Sequence, residues 1–181
     1  MWYVIQVKCG SEVDICKKCR QALPISVCSD IFVPKFQKLM KFKDIWKKEE
    51  RILFPGYVFV KSEKPQEVKR YLKPLNAIVR PVSIGGGFYP IRKEEETFLQ
   101  NVMDKNYVLN TSKGYVVDGS LVVTQGPLIR YADYVKRFDR HKRIGELEIA
   151  LWGEKRKVMV GLEVVARVTA AEFESVRGKA G

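Results

Sequence analysis

The segment Leu53-Phe54-Pro55-Gly56-Tyr57-Val58-Phe59-Val60 constrains this chain more than any other. It is its strongest strand signal, and Pro55-Gly56 marks the point where the backbone turns into a sheet. Successive side chains on a strand point to opposite faces, so Tyr57 and Phe59 share one face while Val58 and Val60 share the other.

A second strand is expected at Trp2-Tyr3-Val4-Ile5-Gln6-Val7, rich in β-branched and aromatic residues. Ser11-Glu12-Val13-Asp14 then reads as a helix start with a capping-box pattern, and the helix runs over about 11–23. Ile15, Cys16, Cys19, Ala22 and Leu23 form its apolar stripe.

That stripe bears on the cysteines. Cys9, Cys16, Cys19 and Cys28 all fall early in a chain whose start, Met1-Trp2-Tyr3-Val4, has no basic leader followed by an apolar run. A disulfide framework is therefore not expected. Cys16 and Cys19 have the spacing of a zinc ligand pair, but on one helical stripe they read as small core residues, since buried thiols behave as small hydrophobes. No metal and no cofactor is expected.

Further along, Ile31-Phe32-Val33 leads into a basic stretch over 35–51 with Phe36, Phe42 and Trp46 among its lysines, which reads as a strand running into a basic hairpin or loop. A short helix is expected over 65–73 through Val68, Tyr71 and Leu72, a strand at Ile78-Val79, and a loop at Gly85-Gly86-Gly87. A helix over 92–103 follows, with Glu94, Glu95 and Glu96 at the positive end of its dipole.

From 105 to 118 the regular pattern lapses through Asn106, Asn110, Thr111, Ser112, Lys113 and Gly114, which reads as a linker. Short runs then recur at Leu121-Val122-Val123, Tyr134-Val135, 147–151, 157–160 and Val164-Val165, separated by Gly126-Pro127, Asp139 and Gly153. This is the cadence of a small all-β barrel. The expected organisation is a domain over 1–104, a linker over 105–118, a second domain over 119–168, and a tail over 169–181 that is either a short helix around 170–176 or a disordered end. A length of 181 residues suits one medium and one small domain.

Thirty-three Lys and Arg against 21 Asp and Glu give a formal net charge of +12. A polyanion is the expected partner, with nucleic acid first. A membrane surface competes poorly, because no apolar run approaches the roughly 18 residues of a spanning helix. A cytoplasmic location is expected.

The opening strand, the Phe54-Pro55-Gly56-Tyr57-Val58-Phe59-Val60 block and the later segment 119–165, with Gly126-Pro127-Leu128 and Trp152-Gly153 at its turns, together resemble the NusG family. The resemblance implies an α+β protein: an NGN-like α/β sandwich with a mostly antiparallel sheet, joined by a flexible linker to a five-stranded SH3-like KOW β-barrel. It also implies binding to the clamp-helix region of RNA polymerase. Phe138-Asp139-Arg140-His141-Lys142-Arg143, with Leu147-Glu148 and Val160-Gly161-Leu162-Glu163-Val164-Val165, looks more like the LoaP subgroup of specialised paralogues than like general NusG. That subgroup implies processive antitermination at particular operons and recognition of an RNA hairpin in the transcript leader. One departure is Asp133, which stands where the KOW module usually has a turn glycine; Asp tolerates a left-handed backbone better than most residues. Fold switching of the second domain, implied by the related RfaH group, is not favoured, because Val122, Val123, Val135, Ile149, Val158 and Val160 prefer strands.

Two sets of site residues follow. Tyr3, Phe54, Tyr57 and Phe59 are expected to form part of an aromatic surface that grips polymerase, with core packing as the competing reading. Arg130, Lys136, Arg137, Arg140, His141, Lys142, Arg143, Lys155, Arg156 and Lys157 are expected to contact RNA through the barrel, with a solvated basic surface as the alternative. Segment 35–48 is open to upstream DNA or nascent RNA, or is a solvated hairpin. The chain is expected to act as a monomer.

Enzymatic readings fare badly. His141, the single histidine, sits among Arg140, Lys142 and Arg143, and Gly85-Gly86-Gly87 lacks the continuation of a phosphate-binding loop. A general NusG factor and a ribosomal-type RNA-binding protein with the same barrel are the remaining alternatives.

Overall fold

The opening strand and the Tyr57 strand lie side by side. In the computed structural model, which describes residues 1–75, 79–81 and 90–178, β1 (Trp2–Val7) pairs antiparallel with β5 (Tyr57–Lys61), Tyr3 opposite Val60 and Ile5 opposite Val58. With β2 (Asp30–Phe32) and β6 (Val79–Pro81) they form a four-stranded sheet of order β2-β5-β1-β6. The expected loop at Gly85-Gly86-Gly87 and residue Ile78 lie outside the described residues.

Alternation divides this sheet as its sequence predicts. Tyr3, Ile5, Val7, Val58 and Val60 pack against α1 (Glu12–Ala22) and α2 (Pro65–Leu72) through Ile15, Cys16, Cys19, Val68 and Leu72. Cys16 and Cys19 are core residues of this layer. Ser11 starts α1 without a side-chain cap, its hydroxyl donating instead to Lys8 O at 2.5 Å. The acidic residue that matters at this end is Glu12. It is buried, and its Oε1 accepts the Gly56 N–H at 2.6 Å, tying α1 to the turn before β5. Gly56 has φ of +84°, which its lack of a Cβ permits.

Trp2, Val4 and Phe59 face the other way, against α3 (Lys93–Val102) through Leu99 and Val102. On that side also lie β3 (Lys35–Phe42), β4 (Ile45–Ile52) and β7 (Val108–Leu109), a three-stranded sheet of order β4-β3-β7. The basic stretch is thus a long hairpin, turned at Lys43 and Asp44, whose φ values of 45° and 63° match a tight two-residue connection.

The stretch read as a linker contains structure. Besides β7, residues Ser112–Val117 form β8, which pairs with β9 (Ser120–Gln125) and, in parallel, with the second half of β12 (Glu154–Val168). β8 is polar at its start, which hid it, yet Ser112 is buried and its Oγ accepts the Leu128 N–H at 3.1 Å. Gly114 is demanded by packing: a Cβ there would lie 2.4 Å from Val122 O.

With β10 (Val135–Asp139) and β11 (Ile144–Leu151), the C-terminal strands form a five-stranded sheet of order β10-β11-β12-β8-β9. One continuous strand, β12, supplies what its sequence suggests are two. Asp133 takes no left-handed backbone; it lies in a single 3-10 turn, Ala132–Tyr134, so the connection from β9 to β10 solves its geometry differently. Of the tail, Ala170–Gly178 is a helix, α4. No helix among the described residues is long and apolar enough to cross a membrane.

Candidate functional site

The aromatic face of the four-stranded sheet is the first candidate site, and it lies beneath the C-terminal sheet. Phe54 and Phe59 are 4% and 0% exposed, packed with Trp2, Phe32 and Leu99 in one buried cluster that continues into Leu147, Leu151 and Leu162 of the C-terminal sheet. They are core, not open surface. Tyr3 is also buried, on the opposite face among the α1 and α2 contacts, so it does not share a surface with the other three. A strand's alternation already separates it: Tyr3 and Phe59 occupy positions of opposite parity in the β1-β5 ladder.

Tyr57 is the member of the set that reaches the edge of the core, and its cover is specific. The Trp152 ring stacks on it with centroids 4.6 Å apart and also meets Phe54 at 5.8 Å. Trp152 and Gly153 form the two-residue turn between β11 and β12, Leu151 opposite Glu154, and both have positive φ, 57° and 77°. Positive φ at a bulky residue is uncommon, and here it aims the indole at the N-terminal sheet. Arg156, three residues after that turn, places its guanidinium 4.3 Å from the Trp152 ring centroid and 5.4 Å from that of Tyr57.

Further contacts join the N-terminal and C-terminal parts. Phe98 of α3 meets Tyr131 edge-on at 5.0 Å and stacks on Tyr134 at 5.6 Å, while Asn101 Nδ2 donates to the Tyr131 hydroxyl at 3.1 Å. On the other side, Arg143 lies 3.7 Å from the centre of the Trp46 ring and pairs with Glu163 at 2.8 Å. Trp152, Phe98 and Trp46 are the residues that sequence reasoning missed. The Trp-Gly pair between two strand runs was the available signal for the first of them.

Near the same face, Tyr107 stacks on Phe32 and its hydroxyl donates to Asp30 Oδ2 at 2.6 Å. Burial first, and then the Asp30 carboxylate, raise this phenol above its ordinary range. It stays a neutral donor that pins β2 to the loop before β7.

The expected RNA-contacting residues divide into four groups. Arg140, His141 and Lys142 are exposed in the turn between β10 and β11, with Arg137 exposed on β10 beside them. Asp139 shapes this turn: its Oδ1 accepts the Lys142 N–H at 2.9 Å, and that bond holds its carboxyl below the usual range. Arg130 and Lys136 are exposed on either side of the Ala132–Tyr134 turn. Lys155 and Lys157 are exposed but face Glu148 and Glu146 across the β11-β12 ladder at 3.4 and 3.3 Å. Exposed pairs of this kind are weak, so the two lysines keep a reduced but available charge. Arg143 and Arg156 differ from the rest, since both are spent on aromatic rings of the N-terminal part.

Among the described residues no group of three or more His, Cys, Asp or Glu is placed to hold a metal ion. Burial pushes the Cys19 thiol up to about 12, as suits a packed side chain.

This arrangement has known relatives. The family model described as transcription termination factor nusG matches residues 1–100. The transcription termination/antitermination protein NusG of Haemophilus influenzae is 25% identical over 176 residues, covering 92% of this chain and 94% of that protein. The protein of the same name from Pasteurella multocida is 24% identical over 182 residues, covering 96% and 91%. Among solved structures, one titled "Domain interaction in Thermotoga maritima NusG" superposes with a TM-score of 0.50 at 18% identity, covering 90% of this chain and 93% of that one. Because the family match takes in more than half of its length, the chain belongs to the NusG family of transcription termination factors.

Proposed function

We propose that this protein is a transcription elongation regulator that binds the clamp-helix region of RNA polymerase through the sheet edge around Tyr57 and promotes processive antitermination at specific operons. Its C-terminal KOW sheet recognises an RNA hairpin in the leader of those transcripts. The observation that carries this reading is the placement of Trp152 and Arg156 over Tyr57. An aromatic edge capped by a side chain from a second sheet suits a surface that exchanges one cover for another. Membership of the NusG family supports polymerase as the alternative cover.

On this reading residues 1–109 and the C-terminal sheet move as two units, joined by the short segment between β7 and β8. Phe54 and Phe59 support Tyr57 from beneath and do not touch polymerase themselves. RNA contact falls to the exposed turn residues Arg140, His141 and Lys142 with Arg130, Lys136 and Arg137. Lys155 and Lys157 add diffuse charge, while Arg143 and Arg156 join only when the two sheets part. Turns converge long side chains on phosphates, and an exposed histidine or a guanidinium can stack on an unpaired base. The LoaP-like run from Phe138 to Arg143 forms this turn, which favours operon-specific action over that of a general NusG factor.

The deciding experiment is in vitro transcription across a terminator on templates with and without the cognate leader hairpin. Leader-dependent readthrough is the expected result. Equal readthrough on both templates, or none, rejects operon-specific antitermination in favour of a general factor.

A further inference from the structure

We propose that the end of the β3-β4 hairpin is a second nucleic-acid site, one that takes single-stranded RNA or DNA by stacking a base on Phe42. The register places Phe42 opposite Ile45 and Met40 opposite Lys47, so these four side chains share one face of the hairpin. That face is open: Phe42 is 58% and Ile45 63% exposed. Apolar side chains of this size at a strand end contribute nothing to either core, so their exposure calls for a ligand.

Charge decides which ligand. Between residues 38 and 48 there are five lysines and one aspartate, and Asp44 is already paired with Lys41 at 2.7 Å. Lys43 and Lys47 hold their ammonium groups 5.7 and 5.4 Å from the centre of the Phe42 ring. A ring flanked by two cations matches a nucleotide, whose base offers a flat face and whose phosphates lie a few ångströms to either side. An apolar protein helix would leave those ammonium groups unpaired. A duplex is also a poor fit, because its bases are already stacked and an exposed ring reads only unstacked ones. The opposite face of the hairpin is committed elsewhere, its Trp46 lying under Arg143. That contact makes the β10-β11 turn a neighbour of the hairpin, but the Phe42 ring belongs to the hairpin alone, so a substitution at Phe42 tests this site apart from the turn.

The test uses the full chain and three labelled probes in fluorescence anisotropy: an unstructured RNA, the DNA strand of the same sequence, and the corresponding duplex. Phe42→Ala is expected to weaken single-strand binding about tenfold, the effect of losing one stacked base. Phe42→Trp keeps the ring and the affinity. Replacing Lys43 and Lys47 by Ala lowers the salt dependence by a slope of about 0.7 per lysine, the single-strand value. Since the residues are exposed, thermal unfolding should not move. Preference for the RNA or for the DNA strand names the physiological source, and either supports the site. The proposal is overturned if Phe42→Ala binds both single strands as tightly as the parent chain. It is equally overturned if a photo-crosslinker at position 42, in an assembled transcription complex, reacts with protein alone.

Discussion

Trp152 stacks on Tyr57 with ring planes 28° apart, and the Trp152 Nε1–H finds no acceptor among the described residues. The two facts oppose each other. Aromatic pairs contribute about 0.5–1.5 kcal/mol beyond their buried area, while an unsatisfied buried donor costs about 1–3 kcal/mol. The unmet donor offsets the stacking increment, so the contact is held mainly by burial of the indole. Trp152→Ala should raise the fraction of molecules with Tyr57 uncovered and tighten apparent binding to core RNA polymerase, because apparent affinity scales with the competent fraction. Tyr57→Ala should weaken binding by about 2 kcal/mol, as expected for an aromatic anchor. Titration of labelled polymerase with each variant checks both, and a Trp152→Ala variant that binds more weakly than the parent would contradict the masking role.

The β10-β11 turn presents its cations without competing rings. Arg140→Ala and Lys142→Ala should each weaken binding of a leader hairpin and reduce the salt slope by about 0.9 if the contact is to a duplex phosphate. Arg156→Ala should behave differently, loosening the cover on Tyr57 while changing RNA binding less. Filter binding over a range of salt concentrations distinguishes the two patterns; identical slopes for all three variants would remove the distinction.

Two glycines of one hairpin separate packing from backbone strain. A Cβ on Gly114 would meet Val122 O at 2.4 Å and Val123 Cα at 3.0 Å, both backbone, so Gly114→Ala must spread β8 from β9 and should cost about 3 kcal/mol, the upper range for overpacking. Gly119 has open space around it but φ of +87°, so Gly119→Ala should cost only the left-handed penalty of about 1–2 kcal/mol. Urea unfolding measures the difference, and equal losses would mean that β8 gives way freely.

Thiol chemistry reports on the first core. Cys9 is exposed, whereas Cys16, Cys19 and Cys28 are buried. A thiol reagent should therefore modify Cys9 at once and the other three only on unfolding. Burial raises the Cys19 thiol to about 12 from a starting value of 9.0, and it raises Cys16 and Cys28 as well. The unfolded chain thus loses these protons at lower pH than the folded one. Their contribution to stability is complete below about pH 9 and declines as pH rises from there toward 12. Urea midpoints across that range should fall with pH, and Cys19→Ala should flatten the fall.

Local pattern alone determined a good deal of this protein. The parity of Tyr57 and Phe59 against Val58 and Val60, the apolar stripe of α1, the basic hairpin and the strand cadence after residue 119 all follow from side-chain periods of two and 3.6. Asp118-Gly119, with φ of 46° and 87°, is a two-residue hairpin signal that would also have revealed β8. What periodicity cannot contain is the identity of the surface that meets a given face. An aromatic strand face looks the same in sequence whether it is core, free interface or beneath a second sheet. Only the tertiary structure placed Tyr3 with the helices, sank Phe54 and Phe59, and set Trp152 on Tyr57. The reason is that burial depends on contacts between residues nearly a hundred positions apart, and no local window holds both partners.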